Sequence, residues 1–314
     1  MTQQGRDFAL DLIKGGVLTL ALFLAYITFP VIGLLPGIFV PLPAIYFTLK
    51  RGITVGVMIF SLTVAVLSVM GGATVPLLYI FQAGIIGLLI PWFYLQGKGT
   101  AKSIALTVGI DALLITLLAV AYGLWSGVDL HGSILSGIRT STDQVAALYA
   151  KQGLSKEELD LLTSGMREAG ELIAKVFPAL LVISLGSTAA INMALCFRLS
   201  AKHLPGMQQP ESFLGFRNPD QLVWILIVSG FSMLIPEPNT QRAALNVLLL
   251  SVFVYFIQGL AVVLAFFRRA ATPALVRSIF WMILIFQPYM AAAVAVLGIF
   301  DIWGDFRTPK PKNL

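Results

Sequence analysis

Asp111 is the residue whose type and surroundings most strongly suggest chemistry in this chain. It is the only acidic residue well inside a long apolar run, which extends from Ile104 to Trp125. Because a carboxylate in hydrocarbon costs several kcal/mol, we expect Asp111 to face the interior of a helix bundle, to be protonated or to pair with a cation. Two roles fit: a functional one, and a structural one in which the carboxylate reaches a partner at the membrane interface.

Uncharged polar side chains occur at depth in other apolar runs. They are Gln82, Asn192, Asn246, Gln258 and Gln287. Carboxamides form hydrogen bonds between helices where water is absent, and this packing role is their usual one. Contact with a solute is the alternative, so Gln82, Asn192, Gln258 and Gln287 are candidate functional residues beside Asp111.

A charged and aromatic motif ends the last apolar run. Its members are Asp301, Trp303, Asp305 and Arg307. Trp303 suits a membrane interface, and the two carboxylates can pair with Arg307 or with the basic loop that holds Arg268, Arg269 and Arg277. The motif either locks the last helix in place or docks a partner.

Several kinds of catalytic and metal site lack the residues they need. One cysteine, Cys196, and two histidines, His131 and His203, argue against a structural zinc site and leave no intramolecular disulfide. Residues 96–100 read QGKGT, similar to a phosphate-binding loop, but Trp92 stands where that loop needs a glycine. No zinc-protease, CxxC or Gly-x-Ser-x-Gly motif is present. We therefore expect no ATPase of its own, no enzyme activity, no cofactor and no metal.

The elements that position these residues are membrane helices. The chain is 58% hydrophobic and 11% charged, with a mean hydropathy of +0.89, which leaves too few polar side chains to coat a soluble globule. Apolar runs of about 20 residues match the ~30 Å hydrocarbon core of a bilayer. We predict an all-α, polytopic integral membrane helical bundle with about eight or nine membrane segments.

The predicted segments are not equally regular. Nine runs qualify: Leu12–Phe29, Val31–Thr48, Thr54–Met70, Val75–Leu95, Ile104–Trp125, Val176–Phe197, Leu222–Ile235, Ala244–Phe267 and Ile279–Phe300. Pro36, Pro41 and Pro43 predict that the second is broken or partly re-entrant, because proline removes a backbone donor and kinks a helix. The seventh is short for a full span.

Basic residues at alternate boundaries predict the orientation. They are Arg6, Lys14, Lys50, Arg51, Lys98, Lys102, Arg198, Lys202, Arg268, Arg269 and Arg277. Cytoplasmic loops are enriched in lysine and arginine, so we place the N-terminus in the cytoplasm. The same placement explains the net charge of +6 without a nucleic-acid partner. A ninth full span would put Arg307 outside, whereas a hairpin broken at Pro288 would return it to the cytoplasm; both remain open.

One long polar segment, residues 126–175, separates the fifth and sixth runs and is extracytoplasmic by this alternation. Ser155 and Glu158 have the spacing of a capping box, in which each side chain satisfies a backbone donor at a helix start. Apolar residues then recur at helical spacing, which predicts an amphipathic helix running into the sixth span. Such a helix lies on the membrane surface, packs on other helices or covers a solute site.

Four stretches carry a resemblance to a known family. They are PLPAIYFTLKRG (Pro41–Gly52), FLGFRNPDQLVW (Phe213–Trp224), FIQGLAVV (Phe256–Val263) and GIFDIWGDFR (Gly298–Arg307). The chain resembles the YybS-like family of bacterial membrane proteins, whose function is unassigned. Its first six runs also look like the S components of energy-coupling-factor vitamin transporters, and a related architecture is found in the shape-determining protein MreD. These remoter likenesses imply a six-helix bundle that binds a small solute or a protein partner.

Two domains and two main functions follow as predictions, with a membrane enzyme as a third and less favoured class. Residues 1–200 would form the S-component-like bundle, with 126–175 as its extracytoplasmic helical segment, and residues 201–314 would form the C-terminal membrane helices and a short basic tail. The first function is solute binding or transport, driven by a partner ATPase or an ion gradient. The alternative is a non-transporting membrane scaffold that holds envelope proteins for assembly or morphogenesis. Membrane lipid is the only partner that composition itself implies.

Overall fold

The computed structural model describes residues 3–29, 32–151, 155–203 and 212–307, and its regular elements are all helical within those ranges. This confirms the predicted all-α membrane fold. The helices are α1 (Gln3–Thr28), α2 (Leu34–Ile38), α3 (Pro41–Arg51), α4 (Ile53–Gly71), α5 (Thr74–Tyr79), α6 (Ile85–Leu95), α7 (Thr100–Ser126), α8 (Leu130–Lys151), α9 (Lys156–His203), α10 (Leu222–Ser232), α11 (Pro238–Arg269), α12 (Ala274–Phe286) and α13 (Pro288–Gly304).

Six of these helical stretches in the described ranges are long and apolar enough to cross a membrane. They are Gly5–Thr28, Ile53–Gly71, Thr74–Leu95, Thr100–Ser126, Lys156–Ser200 and Pro238–Arg269. The pair α12 and α13 would count as a seventh, but it bends by 107° at its break. Two further predicted segments are short helices, α2 with α3, and α10, so the number eight or nine stays a prediction.

The chain divides into two compact units. Unit 1 is Met1–Gly127 with Leu181–Pro210, and unit 2 is Val128–Leu180 with Glu211–Leu314. In this division, residues 128–180 group with the C-terminal helices. The predicted boundary at residue 200 stays a prediction.

The core of unit 1 joins four helices. Its largest cluster contains Ile45 of α3, Ile86 and Ile90 of α6, Val108 of α7, and Leu185, Ala189, Met193 and Cys196 of α9. Ile104 and Ile115 pack against the same cluster from α7. Since these residues share a face of α7, the cluster determines which side of that helix is directed inward.

The proline-rich second segment is broken, as predicted. Pro41 is the first residue of α3, a position where the missing backbone donor is not needed. The helix ends at Gly52, whose φ of +94° is a conformation that glycine adopts readily. A π-helical turn, Ile80–Gly84, then separates α5 from α6.

In unit 2, α11 and α13 touch through their backbones. A Cβ built on Gly259 would lie 1.9 Å from the carbonyl oxygen of Val294, and one on Gly298 would lie 2.0 Å from that of Tyr255. Only glycine permits so close an approach at these two positions.

Asn246 of α11 binds the backbone of α9 beside Pro178, which lies inside that helix. Proline has no backbone N–H, and its ring disturbs the hydrogen bonds of the preceding turn. The Asn246 Oδ1 accepts from the N–H of Ala179 at 2.8 Å, and its Nδ2 donates to the carbonyl of Lys175 at 2.9 Å. This bidentate contact attaches residues 175–179 to α11.

The predicted capping box is confirmed at the start of α9. The N–H and the hydroxyl of Ser155 both donate to Glu158 Oε2 at 2.9 Å, and the N–H of Glu158 donates back to the serine Oγ at 3.3 Å. The helix has 48 residues, and at ~1.5 Å per residue a helix of that length extends well beyond a ~30 Å hydrocarbon core.

Candidate functional site

Asp111 lies in the interior of unit 1. Its side chain is fully buried, and neither carboxyl oxygen has a hydrogen-bond partner among the described residues. Val108 and Ile115, one turn to either side on the same face of α7, belong to or pack against the main core cluster. The carboxyl therefore lies against an apolar core, where an unmade hydrogen bond is expensive.

A polar stripe accompanies Asp111 along the buried face of α7. Ser103 and Thr107 precede it at four-residue intervals and are also fully buried. The Ser103 hydroxyl donates to the Gly99 carbonyl at 2.6 Å, whereas the Thr107 hydroxyl has no partner within the described ranges. Asp111 with Thr107 thus forms a pair of unsatisfied polar groups one helical turn apart. Such a pair can take up a proton or a small cation.

Two of the predicted amides are also found in unit 1. Gln82 lies in the π-helical turn, and its buried Oε1 is unsatisfied within the part of the chain that the structure describes. Asn192 Nδ2 donates to the carbonyls of Ile38 and Thr188 at 2.6 and 2.7 Å, which ties α9 to the end of α2. These bonds are of the interhelical kind usual for a membrane carboxamide, while the buried Asn192 Oδ1 has no partner among the described residues.

Asp11 of α1 is a further carboxylate, and the sequence pattern did not single it out. It is buried and pairs with Lys50 Nζ at 2.8 Å and with Arg51 Nε at 2.6 Å. Nothing local in the sequence links these two cations to a residue 39 or 40 positions earlier. The contact fastens the end of α3 to α1.

Unit 2 contains a different kind of polar site, centred on Asp301 near the end of α13. Only 1% of this residue is exposed. Its Oδ2 accepts from Gln258 Nε2 at 3.1 Å and from two nitrogens of the Arg307 guanidinium, and its Oδ1 accepts from the N–H of Phe306 at 3.2 Å. The carboxylate has its charge balanced and both oxygens satisfied.

Arg307 extends this network to the turn before α10. A nitrogen of its guanidinium donates to the carbonyls of Leu214 and Phe216 at 3.1 and 2.7 Å, while the other two bond Asp301. A planar guanidinium with five donors suits such simultaneous binding. The residue therefore holds the end of α13 and the 3₁₀ turn Phe213–Gly215 together.

Gln258 of α11 completes the network from the opposite side. Its Oε1 accepts from the N–H of Asn218 at 2.9 Å, and the Asn218 Nδ2 donates to the carbonyl of Val254 at 3.1 Å. The sequence analysis selected Gln258 but missed Asn218. The Asn-Pro-Asp turn at 218–220 was the available signal, since it places a polar turn directly before a short apolar helix.

A polar cavity of about 210 Å³ borders this network. Its lining is Leu214, Gly215, Arg217, Asp301, Asp305 and Arg307. Arg217 donates one hydrogen bond, to the Ile302 carbonyl at 2.7 Å, and its Nε stands 4.0 Å from Asp220. The guanidinium still has N–H groups that can meet a solute.

The remaining predicted residues are Trp303, Asp305 and Gln287. Trp303 is largely exposed, as an interfacial tryptophan would be. Asp305 follows the end of α13 with a φ of +38° and lines the cavity. Gln287 is exposed at the break between α12 and α13, where Pro288 begins the next helix. The helices α12 and α13 thus break at Pro288, with a bend of 107° between them.

Three of the four stretches that suggested a family meet at this network. Phe213–Trp224 supplies Arg217 and Asn218, Phe256–Val263 supplies Gln258, and Gly298–Arg307 supplies the ion pair. The fourth, Pro41–Gly52, lies in unit 1 and forms α3.

Comparison with known proteins agrees with the family resemblance. The model of a family described as predicted membrane protein (DUF2232) matches residues 17–302. "Uncharacterized protein YybS" of Bacillus subtilis (strain 168) is 23% identical over 304 residues, which cover 93% of this chain and 95% of that protein. No solved structure matches, so the likeness to S components stays a prediction. Because the family model covers most of the chain, the protein belongs to the DUF2232 family of predicted membrane proteins.

Proposed function

We propose that this protein is a transporter that binds a small polar solute and couples its movement to protonation of Asp111. The supporting observation is the full burial of the Asp111 carboxyl without a partner in the described ranges. A buried polar atom left unbonded costs about 1–3 kcal/mol. A purely structural residue at this position would be more stable as leucine, which inserts into a membrane more favourably than aspartate. The presence of aspartate therefore favours a functional role.

A proton is the ion that this site suits best. A carboxyl that bonds to no other residue can gain or lose a proton without breaking a contact, and intramembrane aspartates commonly serve as proton relays. The sequence contains no phosphate-binding loop with which the chain itself could hydrolyse ATP. An ion gradient can supply the energy for transport instead. A partner ATPase is the alternative source.

The proposal places the protein in the bacterial cytoplasmic membrane with its N-terminus in the cytoplasm, on the strength of the alternating basic boundaries. Cysteines in place of the exposed Lys98 and Ser141 test this orientation. In a Cys196→Ala background, an impermeant thiol reagent added outside intact cells should label Ser141→Cys and not Lys98→Cys. The reverse pattern would refute the orientation.

Transport itself is measurable in liposomes that contain the purified protein and a trapped pH-sensitive dye. Amino acids, nucleosides, sugars and vitamins are added outside as four separate probe mixtures. At least one mixture should acidify the interior through the wild-type protein, and Asp111→Asn should abolish that signal because an amide does not carry a titratable proton. The matched control is Asp160→Asn, the same chemical change at an exposed position of α9.

Two results would contradict the proposal. One is the absence of any solute-dependent proton movement with all four mixtures. The other is an Asp111→Asn variant that is correctly inserted and moves protons as fast as Asp160→Asn does. Insertion is checked by protease protection and by elution as a single species in detergent.

A scaffold function has one observation in its favour. Part of α9 must lie outside the hydrocarbon, and it carries exposed leucines such as Leu161 and Leu172. Crosslinking and copurification from native membrane separate the two functions. A scaffold predicts stoichiometric envelope proteins on the extramembrane part of α9 and full function with Asp111→Asn.

A further inference from the structure

The helix α12 contains no buried residue, and its centre lies beside the end of α11. Phe280, the middle residue of α12, packs edge-on against Phe267 of α11, with the ring centroids 5.3 Å apart. Phe267 directly precedes Arg268, where the uncharged stretch of α11 that begins after Arg242 ends. Charged side chains are unfavourable in hydrocarbon, so a membrane span ends near such a residue. The centre of α12 is therefore close to the membrane surface.

The helix α13 starts near the same level, because it runs antiparallel to α11. Gly259 approaches Val294, and Gly298, four residues later in α13, approaches Tyr255, four residues earlier in α11. Continuing this pairing at ~1.5 Å per residue places Pro288, the first residue of α13, within about two turns of the end of α11.

The direction of α12 follows from its two connections. Residues 270–273 join its start to the end of α11, and Gln287 joins its end to the start of α13. The 13 residues of α12 extend about 20 Å, so a helix with both ends near one level cannot stand upright in the bilayer. The 107° bend between α12 and α13 agrees with this direction. The helix α12 therefore lies along the membrane surface.

One face of α12 is apolar and exposed. Its members recur at intervals of four, three and four residues, which places them in a single stripe: Leu275, Ile279, Met282 and Phe286. In a helix that lies along a membrane surface, such a stripe enters the hydrocarbon. Trp281 lies on the opposite side of the helix, at the level where tryptophan is common in membrane proteins.

The side of α12 that carries Trp281 also carries Arg277, and α11 ends nearby with Arg268 and Arg269. All three arginines are exposed, and none forms an ion pair or a hydrogen bond with a described residue. No acidic residue occurs in the sequence between Glu237 and Asp301. The segment that forms this surface thus carries positive charge that its own residues do not balance.

An anionic phospholipid is the partner that fits both the charge and the apolar stripe. Guanidiniums bind phosphate through paired hydrogen bonds, and basic clusters beside a membrane helix attract anionic lipid. A zwitterionic lipid also has a phosphate, but its ammonium group cancels the charge. The acyl chains of the same lipid molecule would lie against the apolar stripe.

We propose that α12 is an interfacial helix that binds anionic phospholipid, with the headgroup held by Arg268, Arg269 and Arg277. The surface belongs to unit 2 and is the same whichever side of the membrane it faces. It does not involve Asp111. Failure of either proposal leaves the other intact, because one is tested by proton movement and the other by contact with lipid.

The position of α12 is tested with a nitrobenzoxadiazole label on Met282→Cys in the Cys196→Ala background, in full-length protein reconstituted in phosphatidylcholine vesicles. The matched site is Ala274→Cys, which is exposed but lies away from the stripe. Lipid with brominated acyl chains should quench the label on Met282→Cys and aqueous iodide should not, with the reverse at Ala274→Cys. Equal quenching of both labels by either quencher would overturn the interfacial orientation.

Lipid selectivity is measured with the same Met282→Cys label. A small, equal fraction of brominated phosphatidylglycerol or brominated phosphatidylcholine is added to separate vesicles, and the quenching gives the relative affinity of the two lipids. One arginine near a membrane surface strengthens the attraction to anionic lipid about fivefold, so phosphatidylglycerol should bind at least about fivefold more tightly. A ratio of one would overturn the binding of anionic lipid.

Replacing the three arginines identifies the binding groups. Arg268→Gln, Arg269→Gln and Arg277→Gln together should bring the ratio close to one, and Arg277→Gln alone should lower it part of the way. Quenching by brominated phosphatidylcholine should stay unchanged, because the apolar stripe still inserts. A ratio that persists in the triple variant would overturn the role of these arginines.

The matched control removes three exposed cations from α8 and α9: Arg139→Gln, Lys151→Gln and Arg167→Gln. This variant has the same net charge as the other triple variant, so it should keep the wild-type ratio. An equal loss of selectivity in the control would show that net charge alone attracts the lipid, and the site at α12 would be rejected.

Discussion

Asp111 of unit 1 and Asp301 of unit 2 are both almost completely buried, yet their surroundings differ. Asp301 accepts hydrogen bonds from Gln258, Phe306 and Arg307 and is neutralised by the last of these. Asp111 bonds to no residue in the described ranges. Both carboxyl groups are therefore buried, and they differ in whether their oxygens accept hydrogen bonds.

This difference separates two uses of an intramembrane carboxylate. A fully bonded carboxylate acts as a crosslink, because any change in its charge would break several contacts at once. An unbonded one is free to change its protonation state at little structural cost. Asp301 thus organises the polar cavity of unit 2, while Asp111 is the better candidate for ion coupling.

The largest effect is expected from Arg307→Ala. The substitution leaves the Asp301 carboxylate buried without its cation, so we expect it to destabilise unit 2 by about 3–5 kcal/mol. The measurement is the midpoint of thermal unfolding in detergent, followed by tryptophan fluorescence. Arg217→Ala is the matched control. The Arg217 side chain is partly exposed, and none of its described contacts is with the Asp301 carboxylate.

Adding Asp301→Asn to Arg307→Ala should recover part of this loss, since the uncompensated charge is then absent. An Arg307→Ala protein as stable as Arg217→Ala would show that the ion pair contributes nothing. Asp301 would then no longer differ from Asp111 as a stabilising crosslink.

A smaller effect of opposite sign is expected at the other carboxyl. Asp111→Leu replaces an unsatisfied buried polar group with an apolar one of similar size, so we expect stabilisation by about 1–3 kcal/mol. Asp301→Leu should destabilise in the same assay because it orphans Arg307. If Asp111→Leu lowers the unfolding midpoint as Asp301→Leu does, Asp111 has partners that matter and its role is structural.

The smallest effect is expected at the third carboxylate. Lys50→Ala removes one of two cations from Asp11, and both cations are about 30% exposed, so we expect a loss of about 0.2–1 kcal/mol. The loss should shrink further in high salt, which screens exposed pairs. A large loss of stability that does not change with salt would show that Asp11, like Asp301, forms a buried crosslink.

Features with a local cause could be predicted from the sequence. The long helices follow from apolar runs that match a bilayer, and the break between α2 and α3 follows from Pro41 and its neighbours. The Ser155 and Glu158 cap depends on residues three positions apart. Each of these signals lies within one element, so it does not depend on how the rest of the chain packs.

Long-range partners could not be predicted in this way. Gln258 was selected as polar at depth, but its contact with Asn218 spans 40 residues and its contact with Asp301 spans 43. The contact of Asn246 with Ala179 likewise spans 67 residues. Composition gives no clue to such pairings.

The sequence by itself determined that this protein is a helical membrane protein and that Asp111 and Asp301 stand at unusual positions in it. The tertiary structure alone decided that Asp301 is bonded on both oxygens, whereas Asp111 is bonded on neither by any described residue. The physical reason is that hydrophobic periodicity fixes only how deep a residue lies and which face of its helix it occupies. Whether a buried polar group is satisfied depends on which distant backbone and side-chain groups packing brings within about 3 Å.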